Sequence, residues 1–241
     1  MVIKVFSDGA DIEEMHLIAK NPVVKGWTTN PTLMRKAGVK DFRAFAQRAI
    51  TAFPNYPLSL EVFADDFGEM ESQAREIASW GDNVLVKIPI TNTKGESTAP
   101  LIKKLSADGI KLNVTAIFTQ EQVWTASQAM KPNPGFISIF AGRIADTGRD
   151  PELAIRTARG TCPLTQKIIW ASPREVFNVW QADAAGCDII TLSPDLLGKL
   201  SLAGKSLEEF SLSTVQMFFD DAQKAGYAIA HPASWGGGGF G

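Results

Sequence analysis

The order of apolar and polar positions along the chain predicts alternating strands and helices. Short apolar runs, typical of strands buried on both faces of a parallel sheet, occur eight times. They span 3–6, 23–27, 58–63, 83–89, 110–118, 136–141, 167–171 and 188–192. Because strand–helix alternation requires a parallel sheet, eight units in 241 residues predict an α/β fold: a closed (β/α)8 TIM barrel, not an open doubly wound sheet.

Helical spacing of apolar residues and capping residues predict the helices between these strands. They cover 11–20, a short segment opened by Pro31, 41–53, 67–80, 97–107, 119–130, 151–159, 173–185, 194–200 and about 207–225. Residues 142–146 are predicted to form a loop. We therefore expect one barrel domain over 1–241, with 207–225 as an extra C-terminal helix and 232–241 as a flexible, glycine-rich tail.

One charged residue interrupts the fourth apolar run. Lys87 lies among β-branched residues just before Pro89, and a lysine is rarely fully buried unless it is paired or functional. Desolvation disfavours the ammonium form, and the neutral amine is a nucleophile that forms Schiff bases with carbonyl compounds. An edge strand with Lys87 in solvent would give the same local sequence, so the lysine alone does not decide between the two.

Polar residues also recur within or just after nearly every predicted strand. They are Asp8, Asn30, Glu61, Asn113, Thr115, Ser138, Arg143 and Ser172. Each has a structural explanation of its own, such as a helix cap, a turn or an ion pair. The carboxyl ends of the strands are where TIM barrels carry their active sites, so the convergence of many such residues favours a functional site.

Composition and charge narrow the class of protein. Hydrophobic residues make up 45% and charged residues 21% of the chain, and the formal net charge is -2. This ordinary soluble mixture gives no indication of a nucleic acid or a membrane as partner. The two cysteines, Cys162 and Cys187, provide neither a disulfide framework nor metal-ligand spacing. The first apolar run is too short for a signal peptide, so a cytoplasmic protein is expected.

Six motifs, taken in order, resemble the transaldolase family, specifically its short forms, which include the fructose-6-phosphate aldolases. They are Gly26-Trp27-Thr28-Thr29-Asn30-Pro31, Val86-Lys87-Ile88-Pro89, Leu112-Asn113-Val114-Thr115, Gly142-Arg143-Ile144, Trp170-Ala171-Ser172-Pro173-Arg174 and Gly186-Cys187-Asp188-Ile189-Ile190-Thr191. The resemblance extends from Phe6 to the eighth strand. Any one motif would be weak, but the ordered set is specific.

The resemblance implies a Schiff-base aldol mechanism with no metal and no organic cofactor. It implies that Lys87 attacks the ketone of a ketose phosphate, that Asp8 takes the hydroxyl proton, and that Glu61 and Thr115 relay protons through a water. The implied substrate-binding residues are Thr28, Asn30, Asn113, Ser138 and Phe140 at the sugar, and Arg143, Ser172 and Arg174 at the phosphate. The implied partners are sugar phosphates and further copies of the chain, in a pentamer or decamer.

Two positions bear on the choice within the family. Fructose-6-phosphate aldolases resemble this chain but carry glutamine at the position of Glu61 and tyrosine at that of Phe140, whereas classical transaldolases carry glutamate and phenylalanine. The chain is therefore expected to transfer a three-carbon unit and not merely to release it. A dihydroxyacetone aldolase, a specialised sugar transaldolase and a non-catalytic sugar-phosphate-binding barrel remain the alternatives.

Overall fold

The fold is the predicted (β/α)8 barrel. The protein is represented by a computed structural model that describes residues 3–229. Eight parallel strands close into a barrel in sequence order, with β1 paired to β8. The strands are β1 Lys4–Asp8, β2 Val24–Thr28, β3 Leu58–Glu61, β4 Val84–Pro89, β5 Leu112–Ile117, β6 Gly135–Ile139, β7 Gln166–Trp170 and β8 Ile189–Leu192.

Along the chain, helices lie between the strands and after the last of them. They are α1 Ile12–Ile18, α2 Pro31–Lys36, α3 Phe42–Ala52, α4 Phe67–Ala78, α5 Ala99–Ala107, α6 Gln120–Met130, α7 Ala141–Ala145, α8 Pro151–Thr161, α9 Asn178–Ala185, α10 Pro194–Lys199 and α11 Leu207–Ala225, with a 3-10 turn at Leu200–Leu202. Most begin at a side-chain cap, such as Asn30 for α2 and Thr119 for α6. These caps satisfy the free N–H groups of the first turn.

The predicted loop at 142–146 is wrong, because α7 spans Ala141–Ala145. The packing of this helix requires Gly142. A Cβ on Gly142 would lie 1.5 Å from the carbonyl oxygen of Ser172. Gly142 therefore permits a close approach between α7 and the segment after β7, and the helix tolerates its conformational cost.

The helix predicted over 173–185 begins five residues late, at Asn178. The side-chain oxygen of Asn178 accepts hydrogen bonds from the backbone N–H groups of Arg174 and Glu175. A side chain that binds nearby backbone in this way offers the chain an alternative to the helix. Pro173 therefore lies in a loop and does not open α9. The third strand also ends earlier than predicted, at Glu61.

Apolar packing holds the barrel wall in place. The main cluster of buried apolar residues joins strands and surrounding helices, and a smaller one contains Phe6, Ile169 and Ile189, with Phe136 packed against them. A Cβ on Gly26 would lie 2.5 Å from the Phe6 ring, so β2 carries a glycine where this ring needs space. Cys162 and Cys187 are buried free thiols.

Among the described residues, 202–229 belong to a second compact unit, separate from the barrel unit that ends at Ser201. Its helix α11 has the predicted bounds, begins at the cap residue Ser206 and ends at Gly226 in the left-handed conformation. None of its residues is buried. Within residues 3–229, no helix is both long and apolar enough to span a membrane. The predicted tail at 232–241 lies outside the described residues.

Candidate active site

A cavity of about 260 Å³ opens where the strands of the barrel end. Strand ends and the segments that follow them supply its lining: Asp8, Thr28, Asn30, Pro31, Thr32, Glu61, Lys87, Thr115, Ala116, Ser138, Phe140, Arg143, Ala171, Ser172 and Thr191. Titratable and polar groups from all eight strands or strand ends thus meet in one space. A larger, more apolar cavity of about 380 Å³ lies near the amino ends of strands, around Tyr56 and Phe136, but it lacks such a convergence of charged groups.

An ion pair between neighbouring strands lies at the centre of this cavity. Glu61 of β3 and Lys87 of β4 are register partners, and Lys87 Nζ lies 3.0 Å from Glu61 Oε2. Nζ also donates a 2.9 Å hydrogen bond to the backbone carbonyl of Thr29. Lys87 is only 6% exposed, so the edge-strand alternative is wrong. Because Lys87 is buried and paired with a carboxylate, its amine stays inside the protein, where the residue lines the cavity.

Asp8 faces this lysine from the end of β1. Its Oδ1 accepts a hydrogen bond from Thr28 Oγ1 and a second, at 3.2 Å, from Thr191 Oγ1. Burial raises the pKa of Asp8 above its usual value, while the bond from Thr28, the positive charge of Lys87 and the bond from Thr191 oppose this rise. A carboxylate with increased proton affinity beside a buried amine is suited to accept and return a proton.

A buried hydrogen-bonded row connects three strands beneath the cavity. Ser138 Oγ donates to Asn113 Oδ1 at 2.7 Å, and Asn113 Nδ2 donates to Ser59 Oγ at 3.0 Å. Asn113 is the register partner of Lys87 and is completely buried. It therefore supports Ser138, which lines the cavity, and is not itself part of the lining.

The backbone is strained at two cavity residues. Ala116 and Ser172 have φ angles of 57° and 60°, which are costly for residues other than glycine. The register of β5 against β6 shifts between Val114 and Ile117, around Ala116, as in a β-bulge that redirects side chains. Thr115, next to the bulge, lines the cavity, and its hydroxyl makes no hydrogen bond within the described residues.

The cationic side of the cavity is formed by Arg143 of α7. Its guanidinium lies over the ring of Phe140, 5.0 Å from the centroid, and the Phe140 ring packs 5.5 Å from that of Phe118. Such a cation–π contact orients the guanidinium. Ser172 lies against Gly142, which immediately precedes Arg143. The arginine and the serine hydroxyl are thus two neighbouring groups able to bind an anion.

Ten of the twelve residues predicted from the sequence line the cavity, and Asn113 and Arg174 do not. Arg174 is hydrogen-bonded to both carboxylate oxygens of Asp146 through Nε, at 3.0 and 3.1 Å, and also through Nη2. This arginine holds the pKa of Asp146 below its usual value. Asn30 lines the cavity while its side-chain oxygen caps α2. Sequence reasoning did not assign Thr191 or Ser59 to the site.

These two omissions had different causes. Thr191 was visible as part of the last motif, and its position two residues after Ile189 in the eighth strand places it near the carboxyl end. Ser59 has no comparable signal, because its contact with Asn113 crosses two strand pairs. Within residues 3–229, no group of three or more His, Cys, Asp or Glu side chains is arranged to hold a metal ion.

Comparison with known proteins shows which family this chain resembles. Residues 5–233 match the family described as Transaldolase/Fructose-6-phosphate aldolase. A "Probable transaldolase" of Dehalococcoides mccartyi is 36% identical over 193 residues, which are 79% of this chain and 86% of the relative. One of Streptococcus equi subsp. zooepidemicus is 38% identical over 202 residues, 83% of this chain and 90% of the relative.

Solved structures with low sequence identity share the fold alone. One described as "Native KDPGal structure" has a TM-score of 0.56 at 13% identity and covers 92% of this chain and 97% of its own. The 3-hexulose-6-phosphate synthase of Salmonella typhimurium also has a TM-score of 0.56 at 13% identity, over 80% of this chain and 89% of its own.

The buried ion pair leads to a prediction about stability. Glu61→Leu alone leaves the buried ammonium of Lys87 without its carboxylate, and we expect a loss of about 3 kcal/mol in the free energy of unfolding. The double variant Glu61→Leu/Lys87→Met should recover most of this loss or exceed the native stability, since an apolar pair carries no desolvation cost. Urea denaturation of the native protein, both single variants and the double variant measures the coupling. Single variants as stable as the native protein would contradict a desolvated pair.

Proposed function

The chain belongs to the Transaldolase/Fructose-6-phosphate aldolase family, and on that premise we propose that it transfers a dihydroxyacetone unit from a ketose phosphate to an aldose phosphate. Fructose 6-phosphate and sedoheptulose 7-phosphate are the proposed donors. Membership in this family and the relatives described as probable transaldolases support an aldolase-type enzyme. The observation that carries the finer proposal is the burial of Lys87, with its amine at the cavity wall, 3.0 Å from Glu61.

In the proposed first step, Glu61 takes a proton from the Lys87 ammonium with which it is paired, and the resulting neutral amine attacks the C2 ketone of the donor and gives a carbinolamine. Glu61, already hydrogen-bonded to this nitrogen, accepts and returns the protons as water leaves and the protonated Schiff base forms. Thr115 has a hydroxyl on the same cavity wall with no protein partner among the described residues. It therefore fits the role of a second hydrogen-bonding group at the departing oxygen.

In the proposed second step, the C3–C4 bond breaks. Asp8 takes the proton of the C4 hydroxyl, the electron pair of the bond moves to the iminium nitrogen, and an enamine remains on Lys87 while an aldose phosphate leaves. An acceptor aldehyde reverses these movements: the enamine carbon forms the new bond and Asp8 returns the proton to the new hydroxyl. Hydrolysis of the Schiff base then frees the product. The raised pKa of Asp8 suits a group that must hold this proton between the two half-reactions.

The remaining polar groups are proposed to hold the sugar. Thr28, Asn30 and Ser138 line the cavity and can bind hydroxyls of the dihydroxyacetone unit, with Asn113 supporting Ser138 from below. Arg143 and Ser172 are proposed to bind the phosphate, because charge-assisted bonds from a guanidinium suit phosphate oxygens. Arg174 would contribute to phosphate binding only after its hydrogen bonds to Asp146 break and new ones form to the phosphate.

A trapping experiment tests the Schiff base. Borohydride added with fructose 6-phosphate should reduce the imine and attach a three-carbon adduct to Lys87, because the amine is buried beside its proton acceptor. Peptide mass spectrometry locates the adduct. Lys87→Met should abolish it, and Lys111→Met, which removes a lysine outside the cavity, should not. If the protein binds sugar phosphates but no ketose phosphate gives an adduct, the protein is a binding protein and the proposed enzyme mechanism is wrong.

Phe140 is the residue that favours transfer over simple release. Its ring lines the cavity next to Arg143 and offers no proton to the enamine, so the enamine waits for an aldehyde acceptor. Phe140→Tyr should raise the release of free dihydroxyacetone without acceptor, because a positioned proton donor contributes about 10²–10⁴-fold to such a step. The measurement is free dihydroxyacetone with and without erythrose 4-phosphate.

The matched control is Phe118→Tyr, which adds the same hydroxyl to the neighbouring ring outside the cavity lining. It should leave the ratio of release to transfer unchanged. Free release by the native enzyme, with no change on Phe140→Tyr, would mean that the protein is a dihydroxyacetone aldolase.

We also propose that the protein is a homo-oligomer in which α11 packs on a second copy. Seven large apolar side chains of this helix are exposed: Leu207, Phe210, Leu212, Val215, Met217, Phe218 and Phe219. A helix with no buried residue gains little stability from its own sequence, and clustered exposed apolar residues mark interaction sites.

Sedimentation velocity tests this assembly. We expect the native chain to sediment as a ring of five or ten copies, and Phe218→Glu/Phe219→Glu to shift it toward smaller species, because two charges would be buried at the contact. Gln216→Glu/Gln223→Glu, with the same added charge at polar positions of α11, should sediment like the native chain. A native protein that is monomeric at assay concentration would contradict the proposal.

A further inference from the structure

Asp8 receives hydrogen bonds from both strands that flank its own. In the barrel, β1 pairs with β2 on one side and β8 on the other, with Asp8 opposite Thr28 and Phe6 opposite Thr191. Thr28 and Thr191 are both buried, 4% exposed each. Their hydroxyl oxygens lie within hydrogen-bond distance of each other and of the same carboxylate oxygen, Oδ1.

Asp8 Oδ1 and the hydroxyls of Thr28 and Thr191 form a trio of oxygen atoms. The number of hydrogens in this trio limits which hydrogen bonds can form within it. Three oxygen atoms share two hydroxyl hydrogens, because an ionised carboxylate only accepts hydrogen bonds. When Asp8 Oδ1 is unprotonated, both hydrogens are donated within the trio: Thr28 donates to Oδ1, and Thr191 donates to Oδ1 or to Thr28. Among the described residues, Oδ2 makes no hydrogen bond with the protein, while Asp8 lines the cavity. The trio therefore fixes one oxygen and leaves the other for a proton.

We propose that Thr191 is a positioning residue that, together with Thr28, holds Oδ1 of Asp8 so that Oδ2 exchanges the proton of the substrate hydroxyl. The threonine acts through Asp8 and does not touch the reacting atoms. The proposal rests on the aldol-transfer function argued above for the identity of the proton. The arrangement of the carboxylate stands on the described contacts alone.

The charged groups around Asp8 are few. Lys87 is the cation that faces it, Glu61 is paired with that lysine, and Arg143 lines the same cavity. Helix α10 packs against β1, but its charged residues, Asp195 and Lys199, are exposed. None of these groups hydrogen-bonds to Oδ1. The two hydroxyls are thus the contacts that single out the charged form of this oxygen, and their loss must raise the proton affinity of the carboxyl.

The first measurement does not depend on turnover. Carbon-13 NMR of protein labelled at the aspartate carboxyls follows Asp8, whose signal is assigned by its loss in Asp8→Asn. The pKa of Asp8 should rise in Thr191→Val, because a hydrogen bond to the carboxylate form is removed, and return toward the native value in Thr191→Ser. If Thr191→Val does not fold, Thr191→Ala removes the same hydroxyl.

The second measurement is the pH profile of transfer from fructose 6-phosphate to erythrose 4-phosphate. Asp8 acts as carboxylate in bond cleavage, so a raised pKa moves the acid limb of kcat/KM to higher pH. At pH values below the acid limb, kcat/KM of Thr191→Val should be about tenfold lower than that of the native protein, which is the ratio equivalent to one pH unit. The loss should appear in kcat more than in KM, and Thr191→Ser should restore the profile.

Thr98→Val is the matched control. Thr98 is completely buried and donates a 2.6 Å hydrogen bond to the backbone carbonyl of Pro89, outside the cavity lining. It should lower Tm as Thr191→Val does, without moving the Asp8 titration or the acid limb. A Thr191→Val protein with only lowered Tm and an unmoved Asp8 titration would overturn the proposal. A shifted titration in a protein inactive on all ketose phosphates would instead leave Thr191 in its role and refute the proposed function.

Discussion

The burial of one ammonium group governs the architecture of this cavity. Lys87 lies within β4, whose other residues are all apolar, and it is held by Glu61 and the carbonyl of Thr29. Removing a charge from water costs several kcal/mol even after relaxation, so each contact of this amine must be made by well-placed groups. Strand pairing provides that accuracy, because Glu61 is the register partner of Lys87 and cannot move independently of it.

The same strand register organises the second half of the site. Asp8 and Thr28 are partners across β1 and β2, and Thr191 approaches from β8 on the other side. The acid and the amine are thus held by different strand pairs of one closed sheet. The positive charge of Lys87 lowers the proton affinity of Asp8 and so opposes the effect of burial. A barrel closed without edges can place these groups opposite each other without a flexible loop between them.

The sequence predicted the barrel and most of the cavity because both follow from local patterns. Eight apolar runs define a parallel sheet, and polar residues at strand ends converge on one rim of such a sheet. The misses depend on individual contacts, one local and two tertiary. Asn178 accepts hydrogen bonds from the backbone just ahead of α9, the packing of Gly142 against Ser172 allows a helix, and Asp146 forms an ion pair with Arg174. None of these contacts follows from the spacing of apolar residues.

The strain at the rim connects stability with chemistry. Ala116 and Ser172 adopt left-handed backbone conformations that are unfavourable by about 1–3 kcal/mol each, and both line the cavity. Ser172 is held there because its carbonyl packs against Gly142, where any larger residue would force the two segments apart. A wall built in this way resists relaxation. In the proposed transfer, groups such as Thr115 and Ser172 would therefore keep their positions through both half-reactions, which is what a stepwise reaction through one covalent intermediate requires.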